Sequence, residues 1–184
     1  MPLGEKYLAQ TTVPQPNGSL VLATCIFDKN LKKINLDIPR ADCLDMGDEW
    51  FLIRHDKEGE HSRIILSANT AKSVIAGMFH FLRLLQTHQD IQHIDFLSSP
   101  RITRRLLCHW DNIDGSIERG YAGRSLWQWN ELPDKIDPRY RDYARACASI
   151  GINGVILNNV NSQAEILRPE YLVKTAALAD IFRP

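Results

Sequence analysis

Residues Leu106–Trp129 read LLCHWDNIDGSIERGYAGRSLWQW, and the change of character inside this stretch decides the fold. Its opening residues continue Thr103–His109 as a buried strand. The remainder is dense in Asp, Asn, Glu, Arg, Tyr and Trp. An apolar strand emptying into charged and aromatic residues is how α/β proteins build sites at strand C-termini. Downstream, Asp137 and Pro138 start a helix through Tyr140–Ile150, since proline is tolerated in a first turn whose N–H groups have no helical partner. Gly151 stops that helix. Gly154–Leu157 (GVIL) forms another strand, which ends in Asn158, Asn159, Val160 and Asn161. Pro169–Phe182 is a further helix, with Leu172, Ala176 and Ala179 on its apolar face. The order β–loop–α–β–loop–α makes two successive parallel units with polar residues at both strand ends.

Upstream the rhythm differs. Leu20–Phe27, Trp50–Arg54 and Arg63–Ser67 read as strands, the last two separated by the turn-forming stretch HDKEGEH. Asn69 or Thr70 caps a helix to about Gln86, in which Val74, Ile75, Met78, Phe79, Phe81, Leu82 and Leu85 share a core-facing side. Asp95–Pro100 closes this half, and Pro100 marks a boundary. The predicted class is α/β: a small α/β sandwich over residues 1–100, followed by β/α units over 101–184. A (β/α)8 TIM barrel takes roughly 200–250 residues. From Thr103 onward only about two units fit, so the expectation is an incomplete barrel, truncated after its first two units and unpaired at a sheet edge.

The 184 residues carry 44% apolar and 24% charged side chains and a formal net charge of zero. That balance supplies a core and gives no electrostatic case for nucleic acid or an anionic membrane surface as partner. No segment approaches the roughly 20 apolar residues of a membrane span. The N-terminus lacks a basic start followed by an apolar stretch, so no secretory signal is read and a cytoplasmic location is expected. Cys25, Cys43, Cys108 and Cys147 are widely spaced, with no CxxC pair. Cys108 and Cys147 lie in apolar runs and are expected as buried free thiols. His109 adjoins Cys108, but neighbours on a strand face opposite ways and cannot share a metal. The other histidines show no ligand spacing, and neither metal nor cofactor is expected.

The candidate site residues lie in the two strand-end loops. Asp111, Asp114 and Glu118 are three acids in one loop; an acid/base pair, a substrate-binding set and a plain solvated loop are all open to them. Glu118 suits sugar hydroxyls as an acceptor, and the Arg119 fork suits a carboxylate. Internal ion pairing would explain both equally well. Gly120 and Gly123 flank Tyr121-Ala122 as a tight turn requires. Trp110, Trp127 and Trp129 offer faces for pyranose stacking, with Trp110 preferred because Trp is as often ordinary core. Asn112 adds an amide in the first loop. Asn158, Asn159 and Asn161 at the end of the second strand can bond hydroxyls, or serve as turns and caps.

The stretch HWDNIDGSIERGYAGRSLW closely resembles the opening barrel segment of glycoside hydrolase family 67, the α-glucuronidases. GMFHFLRLLQT is similar to the last helix of that family's N-terminal domain. DYARACASIGINGVILNNVNS looks like its first barrel helix and second strand, and YLVKTAALADIFRP like the helix after it. The resemblance covers about residues 49–184. It implies hydrolysis, with inversion and without metal, of the α-1,2 link between (4-O-methyl)glucuronic acid and xylose in xylooligosaccharides. It assigns Asp111, Asp114 and Glu118 to shaping the sugar pocket, and with Trp110, Asn112, Arg119 and Asn159 they make up the expected substrate-binding set. The family's acid and its water-activating carboxylates lie on later barrel strands, so no catalytic residue is assigned here and 1–184 alone is expected to be inactive. The resemblance also implies a homodimer for the full-length enzyme. Alternatives are a stand-alone carbohydrate-binding module and one chain of a split enzyme.

Overall fold

The computed structural model describes residues 19–24, 47, 49–58 and 61–183. The chain divides into two compact units, Met1–Thr103 and Arg104–Pro184.

In the first unit, β1 (Ser19–Thr24), β2 (Phe51–Glu58), β3 (His61–Ala68) and β4 (Asp95–Ser98) form a sheet ordered β1-β3-β2-β4. β1 runs parallel to β3, while β2 is antiparallel to both β3 and β4. The expected strand over Leu20–Phe27 is seen to Thr24; Cys25–Phe27, like Cys43, lie outside the described residues. The HDKEGEH stretch does not act as a turn throughout. β2 runs on to Glu58 and β3 begins at His61, because cross-strand contacts such as the diagonal one between His55 and Ser62, whose side chains meet at 2.7 Å, keep the polar ends in the ladder.

Helix α1 (Ala71–Gln86) starts where Thr70 Oγ1 accepts the Ser73 N–H at 3.1 Å. Asn69 ties this start to the sheet, accepting the Trp50 N–H at 2.9 Å. Gly77 lets the helix lie close. A Cβ there would stand 3.1 Å from Leu66 and Phe51 carbons. The buried face is therefore Ser73, Gly77 and Phe81, with Val74 packed against the Ile53–Leu66–Phe81 core. This corrects the expected core face: Met78, Leu82 and Leu85 are exposed, because the sheet takes the stripe one step round the helix. His80 is half-buried and stacks on Phe96 with ring centroids 4.2 Å apart.

The second unit holds β5 (Leu106–Cys108) and β6 (Gly154–Ile156), paired in parallel, with α2 (Pro138–Ser149) and α3 (Pro169–Phe182). Asp137 caps α2, accepting the Arg139 N–H, and Gly151 follows it with φ +82°. The expected strand Thr103–His109 shrinks to three residues, and its expected burial is not found: Leu106, Leu107 and Cys108 are exposed. Cys108 is thus not the buried thiol its apolar neighbours suggest, whereas Cys147 is buried. The core lies elsewhere. Trp127, Trp129 and Leu132, from the long segment after β5, close on Tyr140 of α2 and Leu178 of α3. On α3 the packed residues are Tyr171, Leu178, Ile181 and Phe182, so the expected face of Leu172 and Ala176 points to solvent. No helix among the described residues is long and apolar enough to cross a membrane.

Candidate functional site at the strand ends

Parallel pairing puts the C-terminal ends of β5 and β6 side by side, and the ladder runs one step further through His109 N–H to Ile156 C=O at 2.9 Å. The two loops leaving these ends are stitched by Asn159. Its Nδ2 donates to the Asp111 carbonyl at 3.0 Å and to Asn112 Oδ1 at 2.7 Å, and its Oδ1 accepts the Asn161 N–H at 2.8 Å. Asn159 is buried, so this amide is an internal tie between loops.

Asp111 is buried as well. Its Oδ2 accepts the Ser125 hydroxyl at 2.6 Å and the Leu126 N–H at 3.3 Å, closing the long loop back on its own start. Between them the chain forms a short excursion. Asp111 bridges Ile117, and Asn112 bonds Ser116 through backbone and side chain. Asp114 accepts both the N–H and the hydroxyl of Ser116, and these bonds hold its exposed carboxyl below the usual range. It stays ionised at neutral pH.

Glu118 comes next in the loop, its N–H donating to the Trp110 carbonyl at 2.8 Å. The carboxylate accepts Nδ2 of Asn161 from the second loop, and Arg119 Nε stands 3.6 Å away. Arg119 is exposed and left-handed, with φ +58°, and Gly120 and Gly123 continue the bend at φ +70° and +110°. This bend brings Tyr121 back beside Trp110. The two exposed rings lie 5.8 Å apart, half open to solvent at 55% and 50%. Trp127 and Trp129, in contrast, are core, and among the described residues their indole N–H groups have no partner.

The sequence-predicted residues therefore separate into two layers. Asp111, Asn112 and Asn159 form an inner hydrogen-bonded layer. Trp110, Asp114 and Arg119 are the exposed outer layer, where a ligand has access, and Glu118 lies at its edge with its side chain 13% exposed. Two further residues belong to the outer layer: Tyr121, expected only as part of a tight turn, which pairs with Trp110, and Asn161, expected as a hydroxyl-binding or capping amide, which holds Glu118. An aromatic between two glycines was the available signal for the first. Nothing local marks Asn161 above its neighbouring asparagines. Among the described residues no three His, Cys, Asp or Glu side chains gather as metal ligands. A platform of two tilted rings beside a held carboxylate, an amide and an open guanidinium suits a polar, hydroxylated ring that bears a negative charge.

Comparison with known proteins gives the family. Residues 84–184 match the glycosyl hydrolase family 67 middle domain. The chain is 38% identical over 146 residues to the "Probable alpha-glucuronidase A" of Aspergillus terreus, covering 78% of this chain and 16% of that protein. It is 30% identical over 182 residues to the protein of that name in Aspergillus fumigatus, covering 99% of this chain and 20% of the relative. With the "Alpha-glucuronidase A" of Aspergillus tubingensis the identity is 31% over 166 residues, or 87% of this chain and 19% of the relative. The chain thus spans about a fifth of the length of these relatives.

Proposed function

From the premise that the chain belongs to glycosyl hydrolase family 67, we propose that it carries the sugar-recognition loops of an α-glucuronidase. The reaction would be release of (4-O-methyl)glucuronic acid from the α-1,2 link to xylose in xylooligosaccharides, with inversion. The observation that carries this reading is the contiguous outer layer: Trp110 and Tyr121 as a stacking platform, Glu118 held by Asn161, and Arg119 open beside it. The sugar ring would lie on the indole, with its hydroxyls toward Glu118 and its carboxylate toward Arg119.

In this reading β5 and β6 are the first two strands of a (β/α)8 barrel. Exposed Leu106, Leu107 and Ile156 on the strands, and Leu172 and Val173 on α3, support it, since these are the surfaces that further β/α units would cover. Inversion needs an acid and a base on opposite sides of the bond with room for a water. The family's carboxylates for these roles lie on later strands, so residues 1–184 would bind without turning over. The full-length enzyme would be a homodimer.

The test is calorimetric titration of 1–184 with an aldotetraouronic acid, alongside assay of released glucuronic acid. Binding without release is the expected result. Release by 1–184 would refute the assignment of acid and base to other strands, and absence of binding would refute the recognition surface.

A further inference from the structure

Behind the site a polar chain crosses the aromatic core. His109, the first residue after β5, turns its ring inward between α2 and the loop. Its Nε2 lies 2.8 Å from the Tyr143 hydroxyl, and its Nδ1 lies 3.7 Å from Asp111 Oδ2. The ring is clamped by Trp127 at 5.0 Å and by Tyr143 edge-on at 5.4 Å. One turn further along α2, the buried Cys147 lies beside the Tyr143 phenol.

The direction of the His109–Tyr143 bond can be assigned, the Nδ1–Asp111 separation being an electrostatic contact and not a hydrogen bond. A neutral imidazole carries one proton, and placing it on Nε2 would aim the Nδ1 lone pair at the Asp111 carboxylate. The proton therefore belongs on Nδ1. Nε2 is then an acceptor, and Tyr143 donates to it. Burial and the thiol keep the phenol protonated, pushing its pKa up to about 12, as a donor role requires. Asp111 is also the residue whose carboxylate closes the long loop and whose carbonyl Asn159 holds.

We propose that His109 is a positioning residue of this site, held as its Nδ1–H tautomer between Tyr143 and Asp111 so that Trp110 is presented in a fixed place. This rests on reading the loop as a uronide-binding surface. His109 does not reach the ligand; it anchors to α2 the backbone that does.

The experiment uses the 184-residue chain labelled with 15N-histidine. Two-bond 1H–15N spectra report the tautomer without any ligand, and the expected pattern is a protonated Nδ1 with an unprotonated Nε2. Tyr143→Phe keeps the ring in the core and removes the donor. It is expected to mix the tautomers and weaken aldotetraouronic acid binding about tenfold. His109→Asn, which retains a donor on the Nδ1 side, should bind more tightly than His109→Ala. The role is overturned by an Nε2–H pattern, or by Tyr143→Phe lowering the melting temperature while affinity is unchanged. A wild-type chain that shows the Nδ1–H pattern and binds no uronide overturns the recognition reading and the positioning role with it, and leaves the tautomer assignment intact.

Discussion

Arg119 is where the backbone itself argues for function. A non-glycine residue at φ +58° is strained by about 1 kcal/mol or more, and here the next residue is already a left-handed glycine. Arg119→Gly is expected to raise the unfolding free energy by about 1 kcal/mol in urea melts and to weaken uronide binding at least about tenfold, the trade a strained binding residue makes. Tyr143 makes a prediction in pH. Its pKa is raised from the ordinary 10.0 to about 12, so the folded chain keeps a proton that the unfolded chain loses. Stability from this group is complete below pH about 10 and drains away toward about 12. Alkaline melts of Tyr143→Phe should fall less steeply across that window than those of wild type. At this scale the sequence was a partial guide. Asp111, Glu118 and Asn159 were legible as polar residues at strand ends, but which of them faced inward depended on Ser125 and Asn161, whose contacts span 14 and 43 residues.

Among the elements, the helices were the more legible. Thr70, Asp137, Pro138, Gly151 and Pro169 mark ends by local chemistry, and α1, α2 and α3 begin within a residue of those signals. Thr70→Ala is expected to cost about 1 kcal/mol in thermal denaturation by leaving the Ser73 N–H uncapped. Helix faces were harder to read, because α1 and α3 carry apolar residues on more than one side and only the partner decides which is buried. Gly77 chooses for α1. Gly77→Val should push the helix off Leu66 and Phe51, costing about 1–3 kcal/mol in the same measurement. The strands were least legible. β5 and β6 have three residues each, too few for a period to show.

At the scale of the molecule, the two parallel units were readable from order alone, whereas the location of the second core was not. A segment rich in Asp, Asn and Gly reads as surface, yet it delivers Trp127, Trp129 and Leu132 into the centre of the unit. Leu178, fully buried against them, tests this arrangement. Leu178→Ala is expected to cost about 2–5 kcal/mol by urea denaturation. It should also broaden the amide signals of Trp110 and Glu118, since the loop that carries them is packed on the same residues.

That shared packing bears on how such a site can be altered. Trp127 touches His109 on the strand end, Tyr140 and Tyr143 on one helix and Phe182 on the other, all within 6.0 Å between ring centres. The span from Trp110 to Arg124 is therefore no detachable insert. Transplanted to another protein it would leave its footing behind, and randomised in place it would erode the scaffold before it explored new ligands. Variants with changed specificity should come from the outward side chains alone, with the indole beneath them left untouched.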